Sequence, residues 1–345
     1  RNYDRPSLIW LLQQTAAMSL LHRVQSLDAS RRLDVVRKYI PVVLEVDDNN
    51  SFVVVGHIHS NLVETIRNKL NDSKEEEQSN NNNRHNGNFR LPPVSDEIPA
   101  TIGEATIKPL IRNTSFAILV DVENTASSLD ARNCAMEQFV DLLLECKIIA
   151  KRHTDMYPIT DLSSSTRSGP EEEVLAVVNR NAAPFLGITS VGVHLLCYVR
   201  DIDEDGGDKK PSLWLAQRAA DKSKFPLLWD PTVAGGQPAS RTLFENVIKE
   251  AYEEAGIHPL AVEKNAVSTG CLSQMTCKPD GACMKQSLYY TWDMEVERET
   301  FLPKSTDGEV AAFELCAAAQ LEYEVRFGTR LRPAMVLVVT DFLIR

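Results

Sequence analysis

Three glutamates crowd together in the second half of the 345-residue chain: Glu250, Glu253 and Glu254, within "AGGQPASRTLFENVIKEAYEEAGI" from Ala234 to Ile257. Leu243, Phe244, Val247, Ile248, Ala251 and Ala255 recur at helical spacing, which predicts a helix over Thr242 to Ala255 that Gly256 stops. At about 100° per residue, Glu253 and Glu254 fall on either side of Glu250 one turn along, so three carboxylates share a face beside the apolar stripe. Lys249 offsets only part of their repulsion. Such a face is either a solvated acidic surface or a cation site. A hard divalent ion such as Mg²⁺ takes carboxylate oxygens, keeps water and often shares substrate phosphates. A turn at Gly235-Gly236 ahead of the helix would let backbone approach the same ion.

The stretch resembles the Nudix box: Gly, five residues, Glu, seven residues, Arg-Glu, an apolar residue, any residue, Glu-Glu, any residue, Gly, apolar. Laid on this chain, it begins at Gly235 and ends at Gly256-Ile257 with its spacing kept. Two positions depart. Arg241 stands where the family usually has Glu, and Lys249 where it usually has Arg, giving up the planar guanidinium fork. In the family that Glu braces the loop against the helix; Arg241 would instead pair with Glu245 four residues on or face a substrate phosphate.

The likeness extends through "NAAPFLGITSVGVHLLCYV", "LWLAQRAADKSKFPLLWDPTVAGG", "DGEVAAFEL" and the closing "RPAMVLVVTDFLIR". These segments are similar to a Nudix branch that carries an N-terminal domain related to thiamine pyrophosphokinase. The resemblance implies an α/β chain: a Nudix α/β/α sandwich over 181–345, preceded over 1–180 by an additional N-terminal α+β domain. It also implies a hydrolase that uses Mg²⁺ (or Mn²⁺) to cleave a diphosphate linked to an organic moiety. Thiamine diphosphate or its oxidised derivatives would give the monophosphate and phosphate. Nucleoside diphosphate derivatives, dinucleotides and a binding protein without turnover are the alternatives. Glu250, Glu253, Glu254 and the Gly235 carbonyl would be metal ligands, and one of Glu253, Glu254 or Glu309 the base. Arg218, Lys222 and Arg241 would meet substrate phosphates.

Other constellations carry less. Trp229, Tyr290 and Trp292 would stack on a cationic ring or, as the better reading, pack in the core. His57 and His59 point the same way on a strand, with no third ligand in sight. Cys271, Cys277 and Cys283 are spaced too widely for a zinc knuckle. "AGGQPAS" lacks both the Gly-Lys-Ser/Thr ending and the three-glycine pattern of nucleotide cradles.

The elements that must hold these residues follow from hydropathy patterning. "RPSLIWLLQQTAAMSLLHRVQSL" reads as helix, "SFVVVGHIHS" and "SFAILVDVEN" as strands, and "CAMEQFVDLLLECKIIA" as helix. Residues 73–88, "SKEEEQSNNNNRHNGN", are almost free of apolar side chains and read as a surface insertion in the first domain. "GVHLLCYVRD" and "PSLWLAQRA" flank a polar turn and predict a hairpin at an edge of the second domain. "NAVSTGCLS", "QSLYYTWDMEV" and "VAAFEL" follow as strands, then helices from about Ala317 and Arg332.

A net charge of -11 with scattered basic residues argues against a nucleic-acid partner, and no apolar run approaches the roughly 18 to 20 residues that span a bilayer. The expected partner is a small-molecule diphosphate, with oligomeric state left open. Seven dispersed cysteines suit a reducing compartment. The cytoplasm is expected; because the chain begins at Arg1, an organelle reached through an upstream targeting segment stays open.

Overall fold

A computed structural model describes residues 39–45, 52–62, 64–66, 68–69, 117–119, 129–160, 174–202, 208–277 and 283–345. The helix expected near the start and the insertion at 73–88 lie outside the described residues.

The second half is built on a mixed sheet of seven strands: β6 (Ser190–Ile202), β7 (Asp208–Arg218), β8 (Trp229–Pro231), β9 (Val233–Gly236), β10 (Val267–Cys277), β11 (Met284–Glu295) and β12 (Val310–Cys316). Its main path runs β10-β11-β6-β7-β12, with β8 paired to β7 and β9 to β6. β11 runs parallel to β6, and the other pairings are antiparallel.

Alternation along β6 shows how the layers form. Val193, Leu195 and Cys197 bury against Val247, Ala251 and Ala255 of one helix (Leu243–Ala255) and Val262 of the next (Pro259–Asn265). Leu196 turns the other way, towards Leu321 and Val325 of the helix Ala318–Arg326 and Met335, Val338 and Val339 of the helix Pro333–Ile344. With helices on both faces this is an α/β/α sandwich. Each fully buried Val or Leu contributes about 1.5 to 3 kcal/mol of transfer free energy.

The expected β6–β7 hairpin forms, but not at an edge: β6 lies between β11 and β7, and β7 between β6 and β12. Its two strands lie inside the sheet because long-range pairings, invisible to a local pattern, flank them.

The described part of the first half has β1 (Tyr39–Glu45), β2 (Phe52–His59) and β3 (Ala117–Leu119) in the order β2-β1-β3, the helix α1 (Leu129–Glu145), and the hairpin β4 (Met156–Ile159) with β5 (Ala176–Asn179). In chain order the remaining helices, introduced above, are α2 (243–255), α3 (259–265), α4 (318–326) and α5 (333–344). Met136, Phe139, Val140 and Leu143 of α1 fill a core with Val42, Ile58, Ile159 and Val178. Phe185, Leu186 and Ile188, beyond the boundary expected at residue 180, bury into the same core, as does Cys283 just before β11. His57 N–H donates to the Leu186 carbonyl at 2.7 Å. The two halves therefore share packing directly. No helix among the described residues is long and apolar enough to cross a membrane.

Candidate functional site

Helix α2 begins one residue after Thr242, whose hydroxyl accepts from Glu245 N–H at 3.3 Å while the Glu245 carboxylate accepts from Thr242 N–H at 2.9 Å. This reciprocal cap occupies Glu245, so the expected Arg241–Glu245 pair is replaced by a Thr242–Glu245 one. The helix ends where Gly256 takes φ 67°, a left-handed conformation open to glycine. Lys304 N–H then donates to the Ala255 carbonyl at 3.0 Å and Thr306 N–H to the Glu253 carbonyl at 2.9 Å, which strings the 304–309 loop along the end of α2.

Gly235-Gly236 is not a turn but the end of β9, with Gly235 opposite Val193 and Gly236 opposite Gly192 on β6. The strand pairing holds its backbone against α2: a Cβ at Gly235 would overlap the Glu250 carboxyl. Glu254, buried, accepts from Ala234 N–H at 2.7 Å. Asn246, also buried, donates from Nδ2 to the Gly236 carbonyl at 3.0 Å.

A cavity of about 540 Å³ opens over this contact. Glu250, Glu253, Glu254 and Glu309 line it together with Gly235, Arg218, Lys222 and Arg241, so all the expected site residues meet at one place. Their circumstances differ. Burial pushes Glu254 well above the usual carboxylate range, and does the same to Glu250 more mildly against the opposing charge of Lys249. Lys249 Nζ bridges Glu253 at 2.6 Å and Glu250 at 3.3 Å. Burial opposes the lysine's charge, but the two carboxylates outweigh it and raise its pKa. Glu309 is exposed and ion-paired with Lys222.

Arg218 lines the cavity with its guanidinium already bonded within the chain. Its Nη1 donates to Asp230 at 3.0 Å, and its Nε and Nη2 to the Lys224 and Phe225 carbonyls at 3.1 to 3.3 Å. Those bonds pin a loop in which Phe225 and Leu227 hold positive φ of 53° and 60°, a conformation costly for such side chains. The guanidinium shapes the cavity rim. Arg241 is exposed and has no ion pair among the described residues.

Asp230 is a residue the sequence reading missed: buried, it takes both Arg218 and Arg332, the latter through Nε at 2.5 Å. An acid between the apolar Trp229 and Pro231 was its only trace in the sequence. The same holds for Gln237, whose Nε2 donates to the Arg241 carbonyl at 2.5 Å and so ties the loop before α2.

The aromatic, histidine and cysteine constellations stay apart from this cavity. Trp229 and Trp292 are buried in the two cores of the sandwich, Trp229 with the Arg330 guanidinium 4.8 Å from its ring centre, and Tyr290 packs with Trp292. His59 Nδ1 accepts from Asn61 N–H at 3.2 Å. Cys271 is exposed and Cys283 buried.

Among the described residues no three potential ligands converge on one point. The Lys249 ammonium holds Glu250 and Glu253, in the position where a cation would compete for them. The donor chemistry nonetheless fits a hard divalent ion: carboxylate oxygens, with that of Glu250 packed against Gly235 and that of Glu254 anchored by the Ala234 backbone N–H.

Residues 197–335 match the NUDIX domain family. The chain is 32% identical over 214 residues to Nudix hydrolase 20, chloroplastic, of Arabidopsis thaliana, covering 62% of this chain and 53% of that protein. It is 30% identical over 216 residues to Nudix hydrolase 24, chloroplastic, of the same plant, covering 63% and 54%. The chain thus spans about half the length of these curated relatives. A crystal structure of a C. elegans Ap4A hydrolase binary complex aligns over 44% of this chain and 94% of its own, at 16% identity and TM-score 0.31. Residues 197–335 are therefore similar to the NUDIX domain family, and the chain resembles Nudix hydrolases over about 62–63% of its length.

Proposed function

We propose that the protein is a diphosphate hydrolase that works with Mg²⁺ or Mn²⁺, and that its substrate is thiamine diphosphate or an oxidised derivative, cleaved to the monophosphate and phosphate. The observation that carries the hydrolase reading is the carboxylate face of α2 set against Gly235 within a NUDIX match. Glu250, Glu253, Glu254 and the Gly235 carbonyl would hold the cation. When bound, it supplies positive charge that neutralises phosphate oxygens and makes a water easier to deprotonate.

The chain's own residues do the rest. Glu254, fixed by Ala234 N–H, keeps α2 and β9 in register. Glu253 and Glu309 are both open to solvent at the cavity, which makes these two better placed than the buried Glu254 to take a proton from an attacking water. Lys222 and Arg241 face the space where phosphate oxygens would lie. The first half would be the domain related to thiamine pyrophosphokinase. The compartment is the cytoplasm or, following the names of the two plant relatives, a plastid.

Nucleoside diphosphate derivatives form the second substrate class, since the α2 face selects phosphate and cation rather than the organic half. Arg241, without an ion-pair partner where the family has Glu, favours a third reading: a binding protein that does not turn over. Incubating the protein and Mg²⁺ with thiamine diphosphate, its oxidised derivatives, ADP-ribose and dinucleotides separates them. Phosphate release from the thiamine compounds alone upholds the proposal. Cleavage of nucleotides alone moves the substrate class, and tight binding with no product identifies the non-hydrolysing protein.

A further inference from the structure

The wall of the cavity that faces α2 comes from residues that precede the NUDIX match: His153, Thr154, Asp155, Arg180 and Asn181. Arg180 is fixed there from several sides. Its Nη1 donates to Asp155 Oδ2 at 2.8 Å, its backbone N–H donates to the Asp155 carbonyl at 3.1 Å, and its guanidinium lies 5.6 Å from the Tyr157 ring centre. Asp155 is itself located by its N–H, which donates to His153 Nδ1 at 3.0 Å.

The wall touches β9, the strand that ends in Gly235-Gly236. A Cβ at Gly236 would come within 3.1 Å of the Tyr157 hydroxyl and 3.4 Å of Arg180 Nη2. Ala239 N–H donates to the Met156 carbonyl at 3.3 Å. Arg180 therefore approaches β9 on one side while Glu250 approaches it on the other, and its charge reaches Glu250. A guanidinium has five N–H donors; that of Arg180 gives one to Asp155, also partners Tyr157, and lines the cavity. Of the arginines on the rim, Arg218 has all three of its side-chain nitrogens bonded to Asp230 and two carbonyls, whereas Arg180 is fixed through Nη1 to Asp155 and lines the cavity.

We infer that Arg180 is a substrate-binding residue that grips the diphosphate from outside the NUDIX domain, making the first half of the chain part of the site. The inference rests on the diphosphate reading above. A fork held by a carboxylate on one edge suits two phosphoryl oxygens on the other, and its distance in sequence from α2 lets the first half set which diphosphates fit.

The test uses the full chain with Arg180→Ala and Arg180→Lys. It measures KM and kcat on whichever compound the wild type cleaves, binding of inorganic pyrophosphate with Mg²⁺ by calorimetry, and Tm. The expected result for Arg180→Ala is a KM raised about ten- to hundredfold, with kcat changed far less and pyrophosphate binding weakened in proportion. Arg180→Lys, which keeps the ion pair with Asp155 but not the fork, should recover part of the loss. Unchanged KM and unchanged pyrophosphate affinity in a folded Arg180→Ala protein would overturn the inference while leaving the hydrolase reading intact. If Arg180→Ala does not fold, the lysine variant decides, since full wild-type affinity there would overturn it. Absence of turnover in the wild type would defeat the hydrolase reading instead, and pyrophosphate binding alone would then decide the role of Arg180.

Discussion

Glu253 and Glu254 are adjacent in sequence and opposite in circumstance. Glu254 is buried, bonded to Ala234 N–H and pushed towards its neutral form; Glu253 stands at the cavity with Lys249 as its partner. Replacing each tests a different thing. Gln at 254 can still accept from Ala234 N–H, so the fold should survive while cation binding weakens. Gln at 253 loses charge at the reacting side. Gly235 belongs to the same argument. A methyl group there meets Glu250, so Gly235→Ala should displace that carboxyl and weaken Mn²⁺ binding by about tenfold or more, one ligand's share of a few kcal/mol. Calorimetric titration with Mn²⁺ checks it, and wild-type affinity would show that the Glu250 carboxyl lies elsewhere when the cation binds.

At the scale of elements, α2 is the part that positions the chemistry, and its ends are as specific as its face. Thr242→Ala removes one half of the reciprocal cap and should cost about 1 kcal/mol, seen as a lower urea midpoint with an unchanged slope. Most of α2 was legible in the sequence, because an apolar stripe, a left-handed glycine and a Thr-x-x-Glu start are all local signals. The strands after Lys264 and the last two helices were legible for the same reason. What was not legible is non-local. The place of β6 and β7 inside the sheet depends on β11 and β12, which arrive roughly a hundred residues later. Gly235-Gly236 reads as a turn until its pairing with β6 is known. Arg218 reads as a free cation until Asp230 and the Lys224 carbonyl close around it. Arg180 carried no signal at all: its neighbours in the site are separated from it by an entire hairpin and more.

For the whole molecule, stability should report on both the buried polar groups and the cation. His194, on β6, is fully buried, its ring centre 5.3 Å from that of Tyr289, with neither ring nitrogen hydrogen-bonded among the described residues, and burial pushes its pKa down to about 3. The unfolded chain therefore binds a proton between pH 6.5 and about 3 that the folded chain refuses. Its contribution is complete above pH 6.5 and is lost as the pH falls, by up to about 1.4 kcal/mol per unit. Glu250, Glu254 and Asp293, raised by burial, act in the opposite sense above the ordinary carboxylate range, so the comparison must be a difference. In urea unfolding from pH 7 to 4, wild type should lose stability relative to His194→Phe by nearly one proton's slope. Parallel profiles would mean that His194 is solvated.

A cation that binds the folded chain alone adds about 2.7 kcal/mol at a concentration one hundred times its Kd. Mg²⁺ should therefore raise Tm in the wild type and do so much less in Glu250→Gln, while an equal shift in both would place the ion away from α2.

The central claim is that the carboxylate face of α2 drives hydrolysis of a diphosphate. The most direct measurement is phosphate release by wild type and Glu253→Gln, at equal concentration with saturating Mg²⁺, on the best substrate of the panel. The account predicts turnover in the wild type and a loss of at least about a hundredfold in kcat for the variant, with Tm preserved. Equal rates in the two proteins would contradict it.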